Sequence, residues 1–426
     1  MHLFITGLLV VFFQIYKRRL SLVITWPYLL YGAGYLVPFF LLNYHWFAFT
    51  ATYIVPKNVL IAQATCVLFL FSTLALDYII MSKVTIDRYF IDKCDDSLRE
   101  ILLNMSQGLG YGAVCIAVAL AYCYYMYVTY FGGGGIRDYS APMGTDPNWR
   151  TLGALSEVII LLFSLYCFPR VFFRNNAFRN YFYEIAFLLF FTTRLYFGTR
   201  LFAFKMLAAM AIVLYIQKRI KAIHILIGSS ILIVVMSFIG IERMNNKYSG
   251  SMIENGSGYI MESYFVDLSH IICTENLWLN YDQPDFPFSV MMNVVPKQIY
   301  NAEKNEVGMF NPELFANKIG VDSVQPLGGY SLFAQPLMAY GQFFFVPILI
   351  VVLCFLFYFK NSKSQLTPFW LFMVSALMLN FWRDSWHITC KSLSIYIFFF
   401  LVIRLLSPKS ATKWRPLPAP FYETRR

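Results

Sequence analysis

The stretch Tyr181–Gln217, YFYEIAFLLFFTTRLYFGTRLFAFKMLAAMAIVLYIQ, is too long to be a single membrane helix. As one α-helix rising 1.5 Å per residue it would be about 55 Å long, against a hydrocarbon core of roughly 30 Å. The run must therefore break, and Gly198, flanked by Tyr196, Phe197 and Thr199, is the expected turn. The two halves then form a hairpin whose tip faces outward, with Arg194, Arg200 and Lys205 close to it. Long cationic side chains at a helix end can snorkel to the interface. Three cations on an outer face nonetheless run against the positive-inside bias. Either they snorkel singly or they hold something negative.

The same apolar character recurs on both sides of this hairpin, along all 426 residues: 58% are hydrophobic and 13% charged. Soluble domains are roughly 45–50% apolar and about 25% charged. Runs at 2–16, 20–42, 58–81, 105–130, 151–169, 181–197, 201–216, 222–241, 331–359, 366–381 and 388–406 read as spans. The expected fold class is an all-α polytopic membrane protein of about eleven transmembrane helices. Residues 1–241 carry the first eight, 242–330 form a large loop, 331–406 carry the last three and 407–426 are a tail. The N-terminal run lacks a cationic n-region and a small-residue cleavage pattern, so it is expected to stay as a first helix.

Most of the 34 Lys and Arg fall in one set of connectors: 17–19, 82–104, 170–180, 217–221, 360–365 and the tail. That set is cytoplasmic by the positive-inside rule, which places the N-terminus and the 242–330 loop outside and the C-terminus inside. The net charge of +11 is thus a topology signal; it gathers on no nucleic-acid-binding motif. The eight cysteines form no C-x-x-C pair and mostly sit in apolar runs, as small core residues do.

The outer connectors hold the remaining candidates. Residues 131–150 (FGGGGIRDYSAPMGTDPNWR) contain Arg137 and Arg150, and the glycine run lacks the G-K-[ST] of a phosphate loop. The 242–330 loop is long, polar and rich in aromatics and proline, the composition of an ordered lid; it contains Arg243, Asp267, His270 and Lys297. NFWRDSWHITCK, 380–391, adds Arg383, Asp384, His387 and Lys391, which either satisfy one another or join the outer cations. An arginine-rimmed cavity suits phosphate or carboxylate oxygens, and at membrane depth a pyrophosphate headgroup is the natural guest. No His, Cys or Asp cluster has metal-ligand spacing, no H-E-x-x-H or G-x-S-x-G occurs, and no cofactor or metal is expected.

Four stretches carry a resemblance: YFGTRLFAFKMLAAM (196–210), VVPKQIYNAEKN (294–305), LGGYSLFAQPLMAYGQFFFVPILIV (327–351) and FWRDSW (381–386). Together, and in this order, they resemble the Wzy-type O-antigen polymerases, oligosaccharide repeat-unit polymerases of bacterial inner membranes. The resemblance implies a GT-C-like glycosyltransferase. Such an enzyme moves a growing glycan from undecaprenyl pyrophosphate onto a new lipid-linked repeat unit, and a chain-length regulator is a possible partner. It also implies that Arg200 and Arg383 contact the lipid pyrophosphate, with Arg194 and Lys297 as helpers. Lys205, Arg137, Arg243 and His387 then line the substrate site, and Asp267 or His270 are candidates for the proton-accepting role that glycosyl transfer needs. The bulky Leu201-Phe202 after Arg200 departs from the small residue common there. An O-antigen ligase, which shares this architecture, and a flippase for lipid-linked oligosaccharide are the alternatives.

Overall fold

The computed structural model describes residues 9–10, 13–14, 17–19, 56–81, 84–131, 147–172, 180–196, 200–221, 223–225, 227–228, 231, 270–274, 333–381 and 386–407. Among them there is no β-strand, only an isolated bridge between Arg19 and Thr85. The chain is a helical membrane protein. Backbone groups in lipid must be satisfied within the segment, and an α-helix does this for the apolar runs that are described.

The helices are α1 (Pro56–Met81), α2 (Ile86–Lys93), α3 (Asp96–Gln107), α4 (Leu109–Met126, continued by a π turn to Phe131) and α5 (Pro147–Phe172). Then come α6 (Tyr181–Tyr196), α7 (Arg200–Ile216), α8 (Ala334–Tyr340), α9 (Phe345–Asn361), α10 (Thr367–Phe381) and α11 (Trp386–Leu406). Proline marks several starts: Pro56, Pro147, Pro336, Pro347 and Pro368 all lie in first turns, where a missing N–H leaves no intrahelical bond unmade.

Among the described residues, four stretches are long and apolar enough to cross a membrane: Lys57–Met81, Leu109–Thr129, Thr151–Val171 and Ile388–Leu406. Large apolar side chains point away from the protein on three of these helices, among them Leu60, Leu68, Leu120, Phe398 and Leu401, as a lipid-facing surface requires. The runs near 201–216 and 366–381 form shorter apolar helices, Lys205–Ile216 and Thr367–Leu377. Of the expected spans, 2–16, 20–42 and 222–241 lie wholly or mostly outside the described residues.

Two stretches differ from expectation. The 331–359 run is not one straight span: Ala334–Phe343 and Phe345–Asn361 meet at 109°. The break falls at Phe344, between the two helices; three residues earlier α8 ends at Gly341, whose φ of 52° is open to glycine at little penalty. The 82–104 connector is itself largely helical, and its second helix, α3, ends at Gly108 where α4 begins. Asp95 caps α3 by accepting a 2.9 Å hydrogen bond from the Leu98 amide.

The chain divides into two compact units, residues 1–90 with 220–394 and residues 91–219 with 395–426. In the first, α1 packs along α9. Lys360 Nζ donates to the Ile80 carbonyl at 2.7 Å, and Tyr89 donates to the Phe359 carbonyl at 3.2 Å. Arg18 forks onto Asp87, with its Nη2 at 2.9 Å from Oδ1. Gln335 of α8 accepts from the Trp386 amide at 2.9 Å, tying α8 to the first turn of α11.

In the second unit α5 is the central helix, with α3, α4 and α7 packed around it. Its inward residues Val158, Ile160, Leu161, Leu162, Leu165 and Phe168 are buried. The Tyr111 hydroxyl of α4 donates to the Leu162 carbonyl at 2.9 Å. Into this apolar helix the sequence inserts one carboxylate, Glu157, and the candidate site grows from it.

Candidate functional site

The Tyr181–Gln217 run breaks where its length demanded: α6 ends at Tyr196 and α7 begins at Arg200, with 197–199 outside the described residues. The halves pack on one another, and α7 also packs on α5. Two of the three cations flanking the break turn inward. Arg194 is 1% exposed and Lys205 is fully buried.

Each finds its partner on α5. Lys205 Nζ lies 2.5 Å from Glu157 Oε1. The second carboxylate oxygen accepts a hydrogen bond from the hydroxyl of Tyr396 on α11, so both oxygens of Glu157 are engaged. One residue earlier on α5, Ser156 accepts from Arg194 Nη2, which also donates to the Leu152 carbonyl at 2.9 Å. Leu152 and Ser156 are one turn apart and share a face, which lets a single guanidinium reach both.

Aromatic rings wall the cluster. The Arg194 guanidinium lies 4.9 Å from the Phe202 ring centre, 5.3 Å from that of Tyr122 and 5.7 Å from that of Phe190. Tyr122 and Phe190 are themselves edge to face at 5.2 Å. Phe202 also lies 5.2 Å from Lys205 Nζ. The bulky residue that departs from the polymerase pattern is thus the ring that both cations share. Rings placed under desolvated cations contribute roughly 1–2 kcal/mol apiece.

An isolated charge in such surroundings would be strongly unfavourable, and pairing with hydrogen-bonded partners is how buried charges persist. The arrangement therefore ties α5, α6, α7 and α11 to one another through Glu157 and Ser156. Lys205 and Arg194 both reach protein partners on α5.

The other expected residues are placed as follows. Arg200 is the first residue of α7 and His387 the second of α11; for both, the structure describes the helical backbone alone. Arg383, Asp267, Arg137, Arg243 and Lys297 lie outside the described residues. His270 begins a helical turn, 270–274, that is buried against α1. Its Nε2 is 3.3 Å from Thr65 Oγ1, its Nδ1 is 3.5 Å from Cys66 Sγ, and its ring lies 5.0 Å from that of Phe333. Burial pushes its pKa down to about 3, which keeps the imidazole neutral. These are the contacts of a core histidine. So this part of the 242–330 loop is packed into the first unit.

Sequence reasoning missed Glu157, Ser156 and Tyr396. A signal for the first was present: Glu157 is the one charged residue in the 151–169 run. Among the described residues no three His, Cys, Asp or Glu side chains converge as metal ligands. All eight cysteines are free; Cys66, Cys115 and Cys273 are buried, whereas Cys123 and Cys354 are exposed.

Compared with known proteins, the chain matches no family model, no curated protein and no solved structure.

Proposed function

We propose that the protein is an oligosaccharide repeat-unit polymerase of the O-antigen type, a GT-C-like membrane glycosyltransferase. It has about eleven spans in the bacterial inner membrane, with its large loop periplasmic and its tail cytoplasmic. The observation that carries this reading is the setting of Arg200. It opens α7 directly after the break, between two cations that are anchored on adjacent residues of α5.

In the proposed reaction, the bond between the glycan's anomeric carbon and the undecaprenyl pyrophosphate oxygen breaks. A hydroxyl of the incoming lipid-linked repeat unit forms the new glycosidic bond and gives its proton to a base. Charge builds on the departing pyrophosphate, and a guanidinium held in place stabilises it with paired N–H donors. Arg200 is assigned that role together with Arg383.

The test is complementation of a polymerase-deficient strain, read as the lipopolysaccharide ladder on a gel. Arg200→Ala should remove long chains while the protein inserts normally, and Arg200→Lys should fail too because one ammonium cannot replace the fork. A full ladder from Arg200→Ala would overturn the assignment.

A flippase for lipid-linked oligosaccharide is the second reading. The 109° break between α8 and α9 and the ion pair within the spans favour it, because transporters use broken helices and intramembrane charges. Accumulation of single-repeat lipopolysaccharide in the null strain supports the polymerase; loss of all repeat units on the outer leaflet supports the flippase.

A further inference from the structure

We infer that Glu157 is the positioning residue for Arg200, acting through Lys205 on α7 and Tyr396 on α11; this rests on the polymerase reading above. Three observations converge on it. First, Arg194 stands six residues before Arg200 and Lys205 five after, and their partners Ser156 and Glu157 are neighbours on α5. The break is thus fixed to one point of the central helix from both sides. Second, the Lys205 and Glu157 side chains are 0% and 7% exposed, so water does not compete for the contact. Third, the other oxygen of Glu157 accepts from the Tyr396 hydroxyl, so both carboxylate oxygens are held.

The lever arm is short. Five residues of α-helix separate Arg200 from Lys205, about 7.5 Å of axis. A tilt of roughly 10° about the Lys205 anchor would move the Arg200 backbone by about 1 Å, and productive geometry must be held to about half that. Glu157 touches no reacting atom in this scheme. Its carboxylate sets where α7 begins, and Arg200 meets the pyrophosphate from there.

The experiment uses the full-length protein, purified and given lipid-linked repeat units, in four forms: wild type, Glu157→Gln with Lys205→Met, Arg200→Ala, and the combination. The Gln/Met pair removes both charges and keeps an acceptor for Tyr396, which spares the fold the unpaired charge a single change would leave. Turnover of the Gln/Met form should fall on the order of 100-fold, as 1 Å misplacements do, with KM little changed and the melting temperature close to wild type. The combination should be no slower than Arg200→Ala alone, since a positioning residue has nothing left to position. Tyr396→Phe, a milder change to the same carboxylate, should lose turnover severalfold.

Full turnover in the Gln/Met form, or losses that multiply in the combination, would overturn the positioning role while leaving the polymerase reading intact. Full turnover in Arg200→Ala would overturn both.

Discussion

Lys205 on α7 and Glu157 on α5 form an ion pair at 2.5 Å in the interior of a membrane protein, with Tyr396 completing the carboxylate's partners. Charges in such a place are held by each other and by their hydrogen bonds, so the consequences of removing one are asymmetric.

Removing one partner strands the other. Lys205→Met or Glu157→Leu alone should cost about 3–5 kcal/mol, whereas Glu157→Gln combined with Lys205→Met should be close to neutral. Melting curves in detergent with a thiol-reactive dye would report this, because Cys66, Cys115 and Cys273 are free and buried. A double variant as unstable as the singles would mean that packing, and not charge, dominates the cluster.

Tyr122 offers the opposite case. Its hydroxyl is buried beside Arg194 and makes no hydrogen bond among the described residues. Leaving a buried hydroxyl unsatisfied costs about 1–3 kcal/mol, so Tyr122→Phe should hold or raise the melting temperature while preserving the ring under Arg194. A clear drop on the same assay would show that the hydroxyl has a partner in solution.

Gly110, at the start of α4, meets the end of α11. A Cβ there would collide with Leu406 Cβ and come within 3.1 Å of its carbonyl carbon. Gly110→Ala should therefore destabilise by about 1–3 kcal/mol, and truncating Leu406 to Gly in the same chain should recover part of the loss. Gly153 is the matched control: a Cβ added there meets none of the described atoms within 4 Å, so Gly153→Ala should be tolerated.

His270 predicts a pH dependence. Its pKa is lowered from 6.5 to about 3 by burial, so the unfolded state binds more protons than the folded one between those values. Stability is complete above about 6.5 and falls as the pH drops toward 3, by at most roughly 1.4 kcal/mol per pH unit from this group. His270→Gln should flatten that part of the profile in melting experiments from pH 8 to pH 5. An unchanged slope would place the acid sensitivity elsewhere.

That this is a helical membrane protein, and that the 181–217 run divides into two helices, was legible in the amino-acid order. Both follow from a sum taken along the chain, apolar length against bilayer thickness. The lone carboxylate in the 151–169 run was visible too, but its meaning was not. Folding alone turned Arg194 and Lys205 inward, because their partners lie 38 and 48 residues away and Tyr396 is 239 residues from Glu157. Folding also made His270 a core residue and bent the 331–359 run between Phe343 and Phe345. Hydropathy is additive and local, whereas the choice between an exposed cation and a buried ion pair depends on which helix packs opposite, and that is set by the fold as a whole.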